Sequence, residues 1–282
     1  MKKRHLPNIG FEYTLDNRIL IIQIIAMLKE NISLTNEQIE KFIIATSNYL
    51  DKTGKRENLF ELYEKIDFIN EQVDEYDKPF YKFINKETLN HFVKKGKFQL
   101  GSLSYYREIE NNESRDEKEG FSNLIINSGD RQILTSVISG FDHYIFCGTF
   151  NLDLKEKMSG KFGDYVLKIQ NVKSFAEKIK KAIGAKQWGI DKIKYSDFKA
   201  FKTDCLINDL NAAVSPDLSE EFFNILHKIS LRPSIFSKPN KFQDEQELRL
   251  IFKMDKKVKK KLNFDNLGLL NDIEIIKTTA NK

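Results

Sequence analysis

The type of domain in this chain is set by FYKFINKETLNHFVKKGKFQLGSLSYYR, residues 80–107. Pro79 disfavours a helical conformation for the residue before it, and the β-like FYKFI follows directly. The next segment, Lys86–Lys95, is predicted to be a helix that ends at Gly96, because glycine commonly forms the left-handed cap of a helix. A second strand is expected over residues 97–104. This order of strand, helix, glycine and strand predicts a compact unit within a mixed domain.

Downstream of this unit, the sequence predicts strands and helices in an irregular order. The predicted strands cover residues 143–150, 164–170, 192–195, 248–252 and 273–276. The predicted helices cover residues 172–183 and 218–229, the second with Asp217 and Glu220 as its capping pair. Because strands and helices do not alternate regularly, the pattern favours an α+β domain over a regular βαβ fold.

The chain before Pro79 is predicted to be helical. Between residues 39 and 50 the apolar residues recur at helical spacing, and Thr35 with Gln38 has the spacing of a capping box. A further periodic segment covers residues 59–73. We therefore expect a helical N-terminal segment, residues 1–77, followed by a second domain, residues 78–282. The N-terminal helices carry no candidate nucleophile, so they are assigned to packing or to binding a protein partner.

Composition and charge limit the classes of function. The net charge of +5 equals the five lysines of KKVKKK, residues 256–261, so the rest of the chain is close to neutral. This lysine run could attract nucleic acid by releasing condensed counterions, or it could be a solvated loop. The two cysteines, Cys147 and Cys205, are too few for a disulfide scaffold and lack the spacing of a metal site.

The sequence predicts a cytoplasmic protein with no membrane span. The longest apolar run, residues 19–28, is only half of the roughly 20 residues needed to cross a bilayer. The basic N-terminus MKKRH is followed by PNIGFEYTLDN rather than by the apolar core of a signal peptide.

The polar segment EIENNESRDEKEG, residues 108–120, is long for an ordinary connection. Such a loop is either functional or disordered, and Arg115, Asp116 and Glu119 are its candidate site residues. The acidic residues could organise the loop or bind a cation, but they lack the ligand spacing of an EF-hand. No metal is therefore predicted.

The sharpest local signal is FQDEQELRLIF, residues 242–252. On a strand, side chains alternate between faces, so Glu245, Glu247 and Arg249 are expected on the face opposite the buried leucines. Two carboxylates at this spacing repel each other, which can separate their pKa values for different roles in catalysis. The alternative interpretation is an exposed polar face of an edge strand, with a salt bridge to Arg249.

Two resemblances to known families bear on this signal. The order of Phe242, Glu245 and Glu247 is similar to the catalytic turn and strand of mono-ADP-ribosyltransferases of the Arg-Ser-Glu class. Residues 80–120, together with the late ExExR pattern, resemble an uncharacterised bacterial family, and their element order is also similar to DarT-type enzymes that ADP-ribosylate nucleic acid. The matching residues in the first part of this pattern are Gly101, Ser102, Leu103, Tyr105, Tyr106, Arg107, Glu110, Arg115, Asp116, Glu119 and Gly120.

The resemblance implies an ADP-ribosyltransferase-like domain with a mixed, mainly antiparallel sheet, and NAD as its substrate. Glu247 is then expected to stabilise an oxocarbenium-like ribose, Glu245 to act as general base and Phe242 to contact the target. The residues expected to contact NAD are Lys82, Ser102, Tyr105, Tyr106 and Arg107. Such families also include toxins and phage-defence effectors, which implies a macromolecular acceptor and a neutralising antitoxin.

Other functions remain open from the sequence. The same residues could hydrolyse NAD with water as acceptor. A non-enzymatic module could instead bind a protein through the N-terminal helices and nucleic acid through the lysine run. A metal-dependent nuclease is disfavoured, because Asp164 and Lys168 share a strand face but Val166 stands where an acidic residue is expected.

Overall fold

The computed structural model describes residues 3–6, 10–15, 19–28, 78–108, 116–129, 131–197, 199–204 and 220–278. The chain divides into two compact units, each built from separated segments. The first unit comprises Met1–Phe68, Asp116–Phe141 and Lys194–Asn240, and the second comprises Ile69–Arg115, Asp142–Ile193 and Lys241–Lys282. Among the described residues, no helix is both long enough and apolar enough to cross a membrane.

Strands outnumber helices in the described part of the chain. The strands are β1 (Lys3–Leu6), β2 (Gly10–Leu15), β3 (Ile19–Leu28), β4 (Phe80–Ile84), β5 (Lys97–Ser102), β6 (Phe121–Ser128), β7 (Arg131–Ser139), β8 (His143–Thr149), β9 (Tyr165–Ile169), β10 (Gln187–Lys192), β11 (Lys194–Tyr195), β12 (Ala200–Asp204), β13 (Ser237–Lys238), β14 (Glu247–Lys253), β15 (Lys261–Asp265) and β16 (Ile273–Lys277). The α-helices are α1 (Lys86–His91), α2 (Leu103–Glu108), α3 (Lys155–Phe162), α4 (Val172–Ile183) and α5 (Glu220–Ile235). Short 3-10 helices cover Val93–Lys95, Leu152–Leu154, Asn240–Glu245 and Leu267–Asp272.

The second unit is built on an antiparallel sheet with the strand order β10-β14-β8-β4-β9-β16. Strand β5 branches from β8 and pairs with β15 on its other side, again antiparallel. Strand β14 therefore lies inside the sheet, between β10 and β8. The predicted α+β class with a mainly antiparallel sheet is confirmed.

One face of this sheet packs against α4 and forms the main core of the unit. Helix α4 begins after Asn171, whose side chain accepts a hydrogen bond from the backbone of Ser174 at 2.8 Å, and ends at Gly184 in the left-handed conformation. Its buried residues recur at helical spacing, so one stripe faces the sheet. They are Val172, Phe175, Ala176 and Ile179. The same core contains Leu248, Leu250 and Phe252 of β14.

Gly148 allows the strands of this core to approach closely. A Cβ atom built on Gly148 would lie 2.3 Å from a ring carbon of Phe80 and 2.5 Å from the carbonyl oxygen of Tyr81. Because one of these atoms belongs to the backbone, the neighbouring strand would have to move. Gly148→Ala is therefore expected to lower the free energy of unfolding by about 1–3 kcal/mol, measured by urea denaturation.

Gly160 supplies the control for this prediction. It lies within α3, and nothing lies within 4 Å of a Cβ atom built there. Gly160→Ala is expected to leave stability unchanged or to raise it by about 0.5–1 kcal/mol. Equal effects of the two alanine substitutions would contradict the close packing at Gly148.

The first unit contains a separate sheet with the strand order β1-β2-β3-β7-β6-β12. Its strands pair antiparallel except for β12, which runs parallel to β6. Helix α5 packs against β6 and β7. Strands β11 and β13 form a short parallel pair.

Several predicted elements are confirmed near their expected bounds. Strand β4, helix α1 and the left-handed cap at Gly96, with φ of 68°, follow the predicted order. Strands β8, β9, β14 and β16 and helix α4 also lie where they are expected. Residues 103–108 form helix α2, whereas the sequence predicted that β5 continues to residue 104.

The N-terminal prediction is wrong where the structure describes it. Strands β1, β2 and β3 lie between residues 3 and 28, where helix was expected. Five of the ten residues of β3 are isoleucine, a β-branched residue that favours strands. The helices predicted between residues 29 and 77 lie outside the described residues. Their role in binding a partner therefore stays a prediction. The predicted boundary after residue 77 stays a prediction.

Candidate functional site

Glu247 and Arg249 form a buried ion pair on β14. Arg249 is 1% exposed and Glu247 is 5% exposed. The Nε of Arg249 donates a hydrogen bond to Oε1 of Glu247 at 2.5 Å, a charge-assisted contact that fixes the orientation of the carboxylate. The predicted alternation is confirmed for Glu247 and Arg249, because Leu248 and Leu250 belong to the core on the other face. The exposed edge strand of the alternative interpretation is wrong, since β14 lies between two strands, whereas its salt bridge to Arg249 is present.

Glu245 reaches this region from a different element. It is the last residue of the 3-10 helix Asn240–Glu245, so the prediction that both carboxylates lie on one strand is wrong. Between them, Gln246 has a positive φ of 43°, which turns the chain from the helix into β14. Glu245 is 4% exposed, and its Oε1 lies 3.6 Å from Nζ of Lys161 on α3.

Cys147 lies directly across from Arg249, on β8. Its side chain hydrogen-bonds the hydroxyl of Tyr106 from α2. Burial of this hydroxyl raises the pKa of Tyr106 well above its ordinary value, and Cys147 and Glu247 act in the same direction while Arg249 opposes them. The thiol, the phenol and the buried ion pair therefore form one electrostatically coupled group.

Helix α2 carries two adjacent tyrosines, and the second of them, Tyr106, belongs to this group. The rings of Tyr105 and Tyr106 have centroids 5.1 Å apart, and Nζ of Lys261 lies 4.4 Å from the Tyr105 ring. Both rings pack against Gly101, where a Cβ atom would lie 2.6 Å from the Tyr106 ring. Ser102 caps the helix, because its Oγ accepts a hydrogen bond from the backbone of Tyr105 at 3.2 Å. Ser102 therefore positions the rings.

Lys82 approaches the group from β4. Strands β4 and β8 pair only at Tyr81 and Thr149, and Nζ of Lys82 donates to the carbonyl oxygen of Cys147 at 2.9 Å. The same ammonium lies 4.5 Å from the centre of the Phe146 ring. Burial lowers the pKa of Lys82, while Coulombic interactions with Cys147 and Glu247 oppose this change. Lys82 thus lies close enough to Glu247 for the two charges to interact.

The raised pKa of Tyr106 predicts a loss of stability in alkali. The folded protein keeps this hydroxyl neutral, whereas the unfolded chain releases its proton near the ordinary pKa of 10.0. The stability that the neutral hydroxyl contributes is therefore fully present below about pH 10. It is lost as the pH rises towards the pKa of Tyr106 in the folded protein. In urea unfolding, the wild-type protein should lose about 1.4 kcal/mol more per pH unit in that range than Tyr106→Phe. Equal slopes for the two proteins would contradict the burial of this hydroxyl.

Two further predicted residues, Arg107 and Phe242, lie on α2 and on the 3-10 helix before β14. Arg107 lies in the last turn of α2, next to Glu108, and its charge helps to lower the pKa of that carboxyl, after the larger effect of Lys260. Phe242 is 3% exposed, and its role as a contact for the target stays a prediction. Arg115 lies outside the described residues.

Asp116 and Glu119 belong to the first unit, whereas Glu247 belongs to the second. Both are buried, and Oδ2 of Asp116 lies 3.8 Å from Nζ of the fully buried Lys199. Burial raises the pKa of Asp116, and Lys199 opposes this change. In the part of the chain that the structure describes, no group of three or more histidine, cysteine or acidic side chains could hold a metal ion.

The structure adds residues that the sequence did not single out. Thr149 pairs with Glu247 in register, and Lys161 faces Glu245. Cys147 was not a candidate site residue, and nothing in its sequence context indicated that it lies opposite Arg249. The left-handed conformation of Gln246 is also not indicated by the sequence, because glycine and asparagine are the usual residues in that conformation.

Comparisons of the chain with models of protein families, with curated proteins and with solved structures found no match. The function of the group around Glu247 is therefore inferred from its own geometry and from the sequence pattern.

Proposed function

We propose that the second unit is an NAD-dependent ADP-ribosyltransferase that modifies a macromolecule, either a nucleic acid or a protein. The observation that supports this best is the buried Glu247, held by Arg249 on an interior strand. Burying two charges costs several kcal/mol of desolvation, so such a pair is weak evidence for stability and a reasonable marker of a functional site. The spacing of Phe242, Glu245 and Glu247 supports the same interpretation.

The proposed reaction begins at the bond between ribose and nicotinamide. When the bond from C1′ to the nicotinamide nitrogen breaks, nicotinamide leaves as a neutral molecule with the bonding electrons, and positive charge develops on the ribose. A carboxylate already fixed beside that ribose stabilises the charge without reorganising. Glu247 takes this role, because the hydrogen bond from Arg249 holds its orientation.

The surrounding residues suit the other parts of a dinucleotide. The two phosphates of NAD are anionic, and the ammonium group of Lys82 brings a cation to this part of the sheet. The flat nicotinamide ring stacks on aromatic surfaces, which Tyr105 and Tyr106 supply. Lys82, Tyr105 and Tyr106 are three of the five residues predicted to contact NAD, and the other two are Ser102 and Arg107.

Glu245 is proposed to complete the transfer. The acceptor atom forms a bond to C1′ and gives its proton to a carboxylate acting as general base. Glu245 is separated from Glu247 by one residue, and Lys161 lies 3.6 Å from its carboxylate. Glu245 ends the 3-10 helix and Glu247 begins β14. Glu247 can therefore act on the NAD while Glu245 acts on the acceptor.

Two other functions compete with transfer. Hydrolysis uses the same donor chemistry with water as the acceptor. The non-enzymatic binding module is favoured by the lysine run, residues 256–261, because all five of its lysines are exposed, four before β15 and Lys261 at its start. An exposed row of lysines beside the edge strand β15 also protects against edge-to-edge aggregation, so this feature alone does not indicate nucleic-acid binding.

The deciding experiment uses the full chain and NAD labelled on its adenylate part. Nicotinamide release is measured alone and with DNA, RNA or cell extract, and the label is followed into macromolecules. Release with transfer of label supports the proposed function and identifies the acceptor class. Release without transfer indicates a glycohydrolase, and no release under any condition favours the binding module.

A further inference from the structure

The turn formed by residues 243–247 is held in a strained conformation. Gln246 lies between the two carboxylates with a φ of 43°, in the left-handed region. This conformation costs a residue with a side chain about 1–2 kcal/mol. Such strain persists only where the surrounding structure holds it, and it is concentrated at functional sites. The contacts around Gln246 therefore show what holds the two glutamates in place.

Thr149 at the end of β8 contacts the backbone of Gln246, and Asn151, just after the strand, contacts its side chain. The hydroxyl of Thr149 donates to the carbonyl oxygen of Gln246 at 3.0 Å. The side-chain amide of Asn151 donates to Oε1 of Gln246, also at 3.0 Å. Thr149 Oγ1 accepts a hydrogen bond from the backbone of Asn151 at 3.1 Å, which links the two contacts. Thr149 is fully buried, so its hydroxyl has little access to water as an alternative partner.

The chain that follows β8 contacts the other end of the turn. Oδ1 of Asn151 accepts a hydrogen bond from the backbone of Asp153 at 2.9 Å and so caps the 3-10 helix Leu152–Leu154, which leads directly into α3. From α3, Lys161 faces Glu245 and Lys157 forms an ion pair with Asp244. One continuous segment therefore contacts the turn before, at and after the strained residue.

We propose that Thr149 and Asn151 are positioning residues for the two glutamates. Their hydrogen bonds hold Gln246 in the left-handed conformation, which keeps Glu245 and Glu247 pointing in fixed and different directions. Neither residue touches the reacting atoms. The inference rests on the proposed function, because the directions of the carboxylates matter to the reaction only if both take part in it.

The test compares three single variants of the full chain. Thr149→Val keeps the shape of the side chain and removes its hydroxyl, whereas Thr149→Ser keeps the hydroxyl. Thr278→Val is the matched control, because Thr278 Oγ1 likewise donates to a backbone carbonyl, that of Asp164 at 3.0 Å. Each variant is measured by hydrogen exchange over residues 243–249, by thermal unfolding and by the kinetics of nicotinamide release.

Thr149→Val is expected to raise the exchange of residues 243–249 and to lower kcat roughly tenfold to hundredfold, because a displaced catalytic group loses its alignment. KM should change little, since ground-state binding does not depend on the direction of Glu245. Thr149→Ser keeps the hydroxyl, so its hydrogen exchange and its kcat should match those of the wild type. Thr278→Val should also leave hydrogen exchange and kcat as in the wild type.

Unchanged exchange in Thr149→Val, or raised exchange with a wild-type kcat, overturns the positioning role. A kcat lost equally in Thr149→Ser also overturns it, because the hydroxyl would then not be the cause. Failure of the proposed function gives a different result, in which the wild-type protein releases no nicotinamide. The exchange comparison of Thr149→Val with Thr149→Ser then decides by itself whether the turn is held.

Discussion

Glu247→Gln is expected to lower the rate of nicotinamide release from NAD by about 10²- to 10³-fold, the usual effect of removing one preorganised electrostatic contact to a transition state. Glutamine has nearly the same shape as glutamate but cannot supply the negative charge that the ribose requires. The loss should therefore appear in kcat more than in KM. Steady-state assays with the purified full chain measure both quantities.

The control for this prediction is the same substitution elsewhere in the sheet. Glu274 on β16 is exposed, and its carboxylate pairs with Lys168 at 2.7 Å. Glu274→Gln is expected to leave the rate of nicotinamide release unchanged. Because Glu247→Gln also leaves Arg249 opposite a neutral group, its thermal unfolding must be recorded beside the rate. A folded Glu247→Gln protein with wild-type kcat would remove Glu247 from the mechanism.

Arg249→Met is expected to lower the free energy of unfolding by about 3–5 kcal/mol, because it removes the hydrogen-bonded cation from the buried carboxylate of Glu247. Arg249 is among the largest fully buried side chains in the described part of the chain, so water cannot replace the lost hydrogen bond easily. Urea denaturation of the variant and the wild-type protein gives the difference directly.

A double variant separates the lost charge partner from lost packing. Glu247→Leu combined with Arg249→Met removes both charges and should recover part of the stability, since an apolar pair needs no desolvation of ions. The exposed pair of Lys168 and Glu274 is the matched comparison, and Lys168→Met should cost less than about 1 kcal/mol. A loss in Arg249→Met that the double variant does not reduce would show that packing, rather than charge, explains the effect.

Local elements were predicted well where neighbouring residues determine them. Helix α1 and the cap at Gly96 depend on a few adjacent residues, and helix α4 carries its own capping residue and apolar stripe. Strands β6 and β7 were not predicted. Most residues of β6 are buried whichever way their side chains point, so its sequence lacks the alternation that predicts a half-buried strand.

The N-terminal error has a related cause. The apolar run of β3 is compatible with a buried helix or a buried strand, and periodicity alone does not distinguish them. Its pairing with β7 joins segments more than 100 residues apart along the chain. That pairing is a property of the folded protein, since local preference for helix or strand is weak enough for tertiary contacts to override it.

The sequence by itself determined that Glu247 and Arg249 share one face of a strand, because alternation is a local property of extended backbone. Only the tertiary structure decided that this strand is an interior one, that Gln246 is left-handed and that Lys82 and Tyr106 approach Glu247. The decisive contacts join residues far apart in the chain, 97 positions for Thr149 with Gln246 and 65 for Lys82 with Cys147. Such contacts depend on strand order and register, which are set by burial across the whole sheet rather than by the residues next to the site.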